Sequence, residues 1–211
     1  MNAAEGFHRH DWVWVEEACL PDLREVRRHG ASGWPFVVGR SPVPDRPAIL
    51  QLGLALPGRR RLGFSVEAAG IDRHRAPLSL AECLPSAPEV WLPGLRTLLA
   101  RFEDAGMEPN VYGSLAWQAM TGTIYLHEDS DLDLLLAPAT EGQLRLALAM
   151  LEAMEGARPR LDGEIVLPGG RAVAWREAAS PSATLLVKTV CSVALVPRTT
   201  WMSALLDLSH A

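Results

Sequence analysis

Apolar positions fall into two regimes along the chain. Up to about residue 67 they come in short runs rich in β-branched and aromatic residues, broken by proline and glycine, which is a strand pattern. Phe7 to Val15 reads as a strand or a tightly packed edge, with its tryptophans in the core, and Pro21 to His29 as a short helix closed by Gly30. Pro35–Arg40, Ala48–Ala55 and Arg61–Glu67 read as three strands, separated by Pro42 with Pro44 and by Pro57-Gly58. Ala76 to Pro93, with prolines at 77, 85, 88 and 93, reads as a linker.

Beyond it, helical spacing alternates with strands. Leu95, Leu98, Leu99 and Phe102 share one face of a helix over Gly94–Ala105. Val111-Tyr112 is a short strand, followed by a helix over Leu115–Met120 with Ser114 as N-cap and Gly122 past its end. The run Asp131 to Leu136 is a buried strand. Thr140-x-x-Gln143 is a capping-box pattern that opens a helix to about Met154, with Leu144, Leu148 and Leu151 as its buried stripe. Strands follow at Arg160–Leu167 and Arg171–Trp175, turned by Pro168-Gly169-Gly170. A further pair spans Thr184–Val190 and Val193–Val196, with Cys191-Ser192 between them, and the terminal helix runs over Thr199–Ser209. These elements make an α+β protein: a small β-rich domain over 1–80, then a second domain over 81–211.

Composition changes this picture little, but charge changes it more. With 211 residues, 48% hydrophobic and 21% charged, the chain can bury a core. No apolar run reaches membrane-spanning length, and the N-terminus has no secretory h-region. Three scattered cysteines without a C-x-x-C pair argue against a disulfide framework or a zinc site, and a reducing cytoplasm fits best. The net charge of −5 is uneven: residues 1–80 hold 11 arginines against 9 acidic residues, and residues 81–211 hold 9 basic against 16 acidic. An acidic protein without a basic stripe is a poor general nucleic-acid binder.

Candidate chemistry centres on Asp131 and Asp133. Residues two apart on a strand share a face, and adjacent carboxylates repel unless a cation lies between them, so a divalent metal is the natural ligand. Gly113 and Ser114, at a strand-to-helix turn, offer backbone N–H groups and a hydroxyl to a phosphate. Lys188 is the one lysine in the chain. In an apolar strand it either neutralises a triphosphate as a point charge or snorkels to the surface. Arg40, at a strand end, and the Arg59-Arg60-Arg61 turn are further phosphate candidates, with a solvated basic turn as the alternative for the latter. Asp162 and Glu164 share one face of their strand, either an exposed edge face or part of the acidic site.

A Gly-Ser turn followed by Asp-x-Asp resembles the nucleotidyltransferase superfamily. The spacer is long, 16 residues from Leu115 to Ser130. Tyr112-Gly113-Ser114, Trp117-Gln118, Thr121-Gly122, Tyr125-Leu126 and Ser130-Asp131-Leu132-Asp133 together resemble the holo-acyl carrier protein synthases of malonate decarboxylase, the phosphoribosyl-dephospho-CoA transferases. Arg9-His10-Asp11 and Leu161-Asp162-Gly163-Glu164 extend the resemblance over most of the chain.

The resemblance implies a polymerase-β-type α/β domain with a mixed sheet at residues 81–211. It implies Asp131, Asp133 and a third carboxylate, Asp162 before Glu164, as ligands of Mg²⁺, two ions in the catalytic complex. Gly113, Ser114, His10, Arg40, Arg59, Glu164 and Lys188 would contact substrate. It further implies transfer from 2′-(5″-triphosphoribosyl)-3′-dephospho-CoA to a serine on the acyl carrier subunit of malonate decarboxylase, with pyrophosphate leaving. The competing readings are a relative acting on the citrate lyase carrier or on a small molecule, and a non-catalytic binder of the CoA-like ligand or carrier.

Overall fold

The computed structural model describes residues 6–40, 48–56, 58 and 60–206. The breaks expected at Pro42, Pro44 and Pro57, the candidate Arg59, and the end of the terminal helix beyond Leu206 lie outside these residues. The chain is α+β and divides into two compact units, residues 1–77 with Thr189–Ser192, and residues 78–188 with 193–211.

The first unit is built on a five-stranded antiparallel sheet. In chain order its elements are β1 (Trp12–Val15), α1 (Arg24–Ala31), β2 (Phe36–Val38), β3 (Ile49–Leu56), β4 (Arg60–Glu67) and β5 (Ile71–Arg75). The order across the sheet is β4-β3-β2-β1-β5. Alternating apolar residues on β3 and β4 bury Leu50, Leu52, Leu54, Phe64 and Val66 on one face, where Phe36 meets Phe64 edge-on at 4.9 Å between ring centroids. Trp12 is core, but Trp14 is not: its indole stacks under Arg73 at 4.5 Å and donates to Gly33 O at 2.9 Å. A half-exposed tryptophan with a satisfied N–H gains both apolar cover and a hydrogen bond.

His29 on α1 is buried between Trp34 and Phe36, and its Nε2 lies 2.8 Å from Pro35 O. Burial lowers its pKa from the ordinary 6.5, partly offset by the bond to Pro35. Between the lowered pKa and 6.5 the unfolded chain therefore binds more protons than the folded protein. Stability is full above 6.5 and falls as pH drops below it. The melting temperature should fall between about pH 7.5 and about pH 5.5, and less so in His29→Gln; an identical fall in both proteins would remove His29 as the cause.

The second unit carries a seven-stranded mixed sheet. Its elements are β6 (Leu78–Ser79), α2 (Leu80–Cys83), α3 (Leu92–Asp104), β7 (Asn110–Tyr112), α4 (Gly113–Thr121), β8 (Leu132–Leu136), α5 (Glu141–Ala153), β9 (Leu161–Leu167), β10 (Arg171–Ala174), α6 (Trp175–Ala179), β11 (Thr184–Lys188), β12 (Val193–Pro197) and α7 (Arg198–Leu206). The strand order is β12-β11-β10-β9-β8-β7-β6. Every pairing is antiparallel except β8 with β9, which are parallel and joined through α5. A parallel pair needs such a crossover, and a helix is its usual form. Central β8 is buried along Leu132, Leu134, Leu135 and Leu136. No helix among the described residues is long and apolar enough to cross a membrane.

The expected linker is structured. Ser79 caps α2 in a complete capping box with Glu82, at 2.8 and 3.2 Å, and Pro93 sits in the first turn of α3. There its missing N–H costs nothing. On α5, Thr140 accepts from Gln143 N at 3.1 Å, while the Gln143 side chain accepts from Ala139 N at 2.8 Å, one residue ahead of the cap. Trp175, expected at the end of a strand, starts α6 instead.

Candidate active site

Two strands and one helix start bring the acidic motif together. Asp131 lies just ahead of β8 and Asp133 within it. In the β8–β9 register Asp133 is directly opposite Asp162, and on its other side it is opposite Tyr112 at the end of β7. Two carboxylates from residues distant in sequence thus stand side by side on adjacent strands, both only partly covered.

Gly113 completes the arrangement. It turns from β7 into α4 with φ +72°, and a Cβ there would collide with the Asp133 carboxylate. Glycine is required twice over, by the left-handed backbone and by the close approach. The helix begins at Gly113 itself, with Tyr112 in the N-cap position and no side-chain cap. Ser114 is therefore inside the first turn, which corrects the expectation that it caps the helix. An uncapped first turn presents its backbone N–H groups outward, as an anion site needs.

The long spacer has a structural cause. Gln118 on α4 donates to Ser86 O at 2.8 Å and accepts from Tyr125 N and Leu126 N at 3.1 and 3.3 Å. Trp117 packs against Tyr125 at 5.9 Å between centroids. Ser130 then closes a turn onto His127, its Oγ accepting from His127 N at 2.8 Å. The spacer is tied down along its length and delivers Asp131 to the start of β8.

Of the two readings of the Asp162/Glu164 face, an exposed edge does not hold for Glu164. It is 5% exposed, on a strand interior to the sheet, and Lys188 Nζ lies 3.1 Å from its Oε1. Lys188 is thus the counter-charge of a buried carboxylate. Between Asp162 and Glu164, Gly163 has φ +142°, and a side chain there would strike the backbone of Leu134. Lys188→Ala would leave a buried carboxylate without its cation, at a cost of roughly 1–3 kcal/mol in a denaturation experiment. Lys188→Met combined with Glu164→Gln should recover much of that, because neither charge remains. No loss of stability in Lys188→Ala would break this pairing.

Two arginines that the sequence pattern did not single out stand among the carboxylates. Arg160 grips Asp131 with two parallel hydrogen bonds, Nε to Oδ1 at 2.8 Å and Nη2 to Oδ2. The Asp131 hydrogen bond and charge raise its already high pKa, with smaller contributions from Asp162 and Asp133. Arg176 donates to Leu161 O at 2.8 Å, lies 3.6 Å from Asp162 and 3.7 Å from Glu155, and stacks on Trp175 at 4.4 Å. Both line a cleft of about 660 Å³ together with Trp91, Asp131, Glu155 and Arg158. A basic residue at a strand start reads as a solvated end, so only the adjoining Leu161-Asp162 motif pointed toward Arg160.

The remaining candidates belong to the first unit. His10 has φ +73° in a turn where Asp11 accepts from His8 N at 2.7 Å, and its own N–H donates to Val38 O at 2.8 Å. Asp11 is 4% exposed while His8 beside it is exposed, so the turn buries its cap; burial raises the Asp11 pKa, while the His8 N–H lowers it. Arg40 follows β2 and is exposed.

Among the described residues no three His, Cys, Asp or Glu side chains converge to hold an ion as they stand. Mg²⁺, however, is commonly held by one or two carboxylates plus substrate phosphates. The facing Asp133 and Asp162 supply that hard-oxygen set, so the residues fit.

The description "Phosphoribosyl-dephospho-CoA transferase MdcG N-terminal domain" matches residues 8–77, and its C-terminal counterpart matches residues 79–199. The chain belongs to this family. Relatives named phosphoribosyl-dephospho-CoA transferase include one from Xanthomonas euvesicatoria pv. vesicatoria, 39% identical over 200 residues, covering 90% of this chain and 94% of the relative. Another, from Bradyrhizobium diazoefficiens, is 34% identical over 209 residues and 92% of each chain. A third, from Azotobacter vinelandii, is 34% identical over 89% of this chain and 91% of its own. No solved structure matches. The two matched domains meet beside the boundary between the two compact units at Pro77 and Leu78.

Proposed function

We propose that this transferase-family chain moves the phosphoribosyl-dephospho-CoA group from 2′-(5″-triphosphoribosyl)-3′-dephospho-CoA onto a serine of the acyl carrier subunit of malonate decarboxylase, releasing pyrophosphate. The observation that carries the reading is the facing pair Asp133 and Asp162, set against the uncapped start of α4. Family membership supports a dephospho-CoA-related substrate and a carrier-protein acceptor; the resemblance to malonate decarboxylase synthases supplies the triphosphoribosyl donor and the carrier.

Asp131, Asp133 and Asp162 are the proposed ligands of Mg²⁺, two ions by likeness to the nucleotidyltransferases. When bound, these would polarise the acceptor hydroxyl and neutralise charge on the leaving pyrophosphate. The rest of the work falls to protein groups. Gly113 and Ser114 offer N–H donors and a hydroxyl to the phosphate being attacked, a preorganised arrangement of the kind that stabilises developing charge. Lys188 pairs with buried Glu164, two residues beyond Asp162 on β9. His10 is assigned to a substrate contact by the resemblance, and Arg40 and Arg59 by the fit of a guanidinium to phosphate. No protein nucleophile is needed, because positioning and charge neutralisation suffice for phosphoryl transfer of this type.

The test is the intact mass of purified carrier subunit after incubation with this protein, the donor and Mg²⁺. A mass increase equal to one phosphoribosyl-dephospho-CoA group, with stoichiometric pyrophosphate, is expected. No increase with the malonate decarboxylase carrier, alongside modification of the citrate lyase carrier, would move the assignment to the latter.

A further inference from the structure

We propose that Arg160 is a latch on Asp131 that the donor's triphosphate opens: without donor the guanidinium occupies the carboxylate, and on donor binding it transfers to phosphate and leaves Asp131 to the metal. This rests on the metal-dependent reading given above.

Three observations carry it. The grip is two-pronged, Nε on Oδ1 and Nη2 on Oδ2, which takes both oxygens of a residue assigned to metal. A guanidinium fits carboxylate and phosphate with the same fork, so either can hold it. The arginine half of the pair is also open: the Arg160 side chain is 69% exposed while that of Asp131 is 23% exposed, so the guanidinium can swing to another partner without unburying itself.

Its surroundings supply the second seat. Arg160 lines the cleft of about 660 Å³ beside Arg158 and Arg176, which gather on the same walls as Glu128, Asp129, Asp131 and Glu155. Arg176 is fixed by the Leu161 carbonyl, Asp162, Glu155 and the Trp175 ring. Among the described residues Arg160 hydrogen-bonds to Asp131. One arginine is thus anchored as part of the wall and the other can change partner. A polyphosphate in the cleft has the anchored Arg176 beside it and competes with Asp131 for Arg160. The gain from such a latch is order of binding. The bare protein holds the full carboxylate set from free cations until a polyphosphate is present.

The latch predicts opposite effects on two ligands, which a purely structural arginine would not give. Mn²⁺ alone, followed by electron paramagnetic resonance of the free ion, should bind the full chain about three- to tenfold more tightly in Arg160→Gln, because its competitor is gone. Inorganic triphosphate, titrated calorimetrically with Mn²⁺ present, should bind the same variant about tenfold or more weakly. The tightening should vanish when Asp131→Asn is added, since no carboxylate is left to release. Equal tightening with and without Asp131, or no change in either ligand, would overturn the latch while leaving the metal site standing. Absence of Mn²⁺ binding to the wild-type protein and every variant at millimolar concentrations would instead remove the metal site, and the latch with it. Arg160 is exposed, so its replacement leaves the core intact, and circular dichroism of each variant confirms that.

Discussion

Asp133→Asn is expected to abolish carrier modification while leaving the protein folded and at least as heat-stable. The two halves of this expectation come from one arrangement. Asp133 faces Asp162 across the parallel β8–β9 pair and lies against the turn at Gly113. Like charges on neighbouring strands oppose each other, so neutralising one relieves repulsion and should hold or raise the melting temperature without metal. The same change removes a proposed metal ligand, and a charge, from where pyrophosphate would depart. A loss of at least roughly 10²–10³-fold in turnover is expected, the scale seen when one charge-stabilising group is removed. Asp162→Asn should behave alike, and Glu164→Gln should not: buried against Lys188, it should disturb stability more than turnover. Carrier mass spectrometry and thermal melts decide together. Turnover within tenfold of wild type in excess Mg²⁺ would sink the assignment of Asp133, and a larger catalytic loss in the Glu164 variant than in the Asp162 variant would transfer the third role to Glu164.

The second large effect is structural. Gly163→Ala is expected to cost roughly 3–5 kcal/mol, adding a strained backbone conformation to an overpacked contact. At φ +142° a side chain is disfavoured before any neighbour is considered, and here the neighbour is the main chain of Leu134, which cannot rotate away. Leu134 and Gly163 are paired residues in the strand register. Their separation would pry apart the strands that carry Asp133 and Asp162. The variant should express poorly or melt far below wild type, and no activity should survive in the soluble fraction. A folded Gly163→Ala protein with wild-type turnover would show that this pairing adjusts more freely than its geometry indicates.

Much of this was legible in the chain itself. The alternation at Asp131-Leu132-Asp133 reports a strand, and its spacing reports a shared acidic face. Gly122 was readable as the end of α4, and it takes the left-handed φ of +69° that a terminating glycine adopts. Misreadings have local causes. Ser114 looks like a cap because serine favours that position, yet the helix starts at Gly113, two residues ahead of the expected Leu115, where the chain must pass Asp133. The prolines of Ala76–Pro93 read as linker because proline breaks helices, but Pro93 sits where a helix start tolerates it. Strand β5, Ile71-Asp72-Arg73-His74-Arg75, was missed because it is an edge strand with little apolar alternation, held by pairing to β1. Arg160, Arg176 and the partner of Lys188 could not be read from periodicity, since each is defined by a residue distant in sequence.

The parallel β8–β9 pair also sets when the site comes into being. The hairpins β3–β4, β9–β10 and β11–β12 join neighbours in sequence, and such local pairings close early because little chain entropy is spent on the loop. Asp133 and Asp162, 29 positions apart by their numbering, meet only after α5 has crossed over and β9 has found β8. Partly assembled chains would therefore hold their acidic residues apart. On the proposed metal reading, the cation site forms only with this crossover pairing, so metal uptake during refolding would time the closure of β8 on β9.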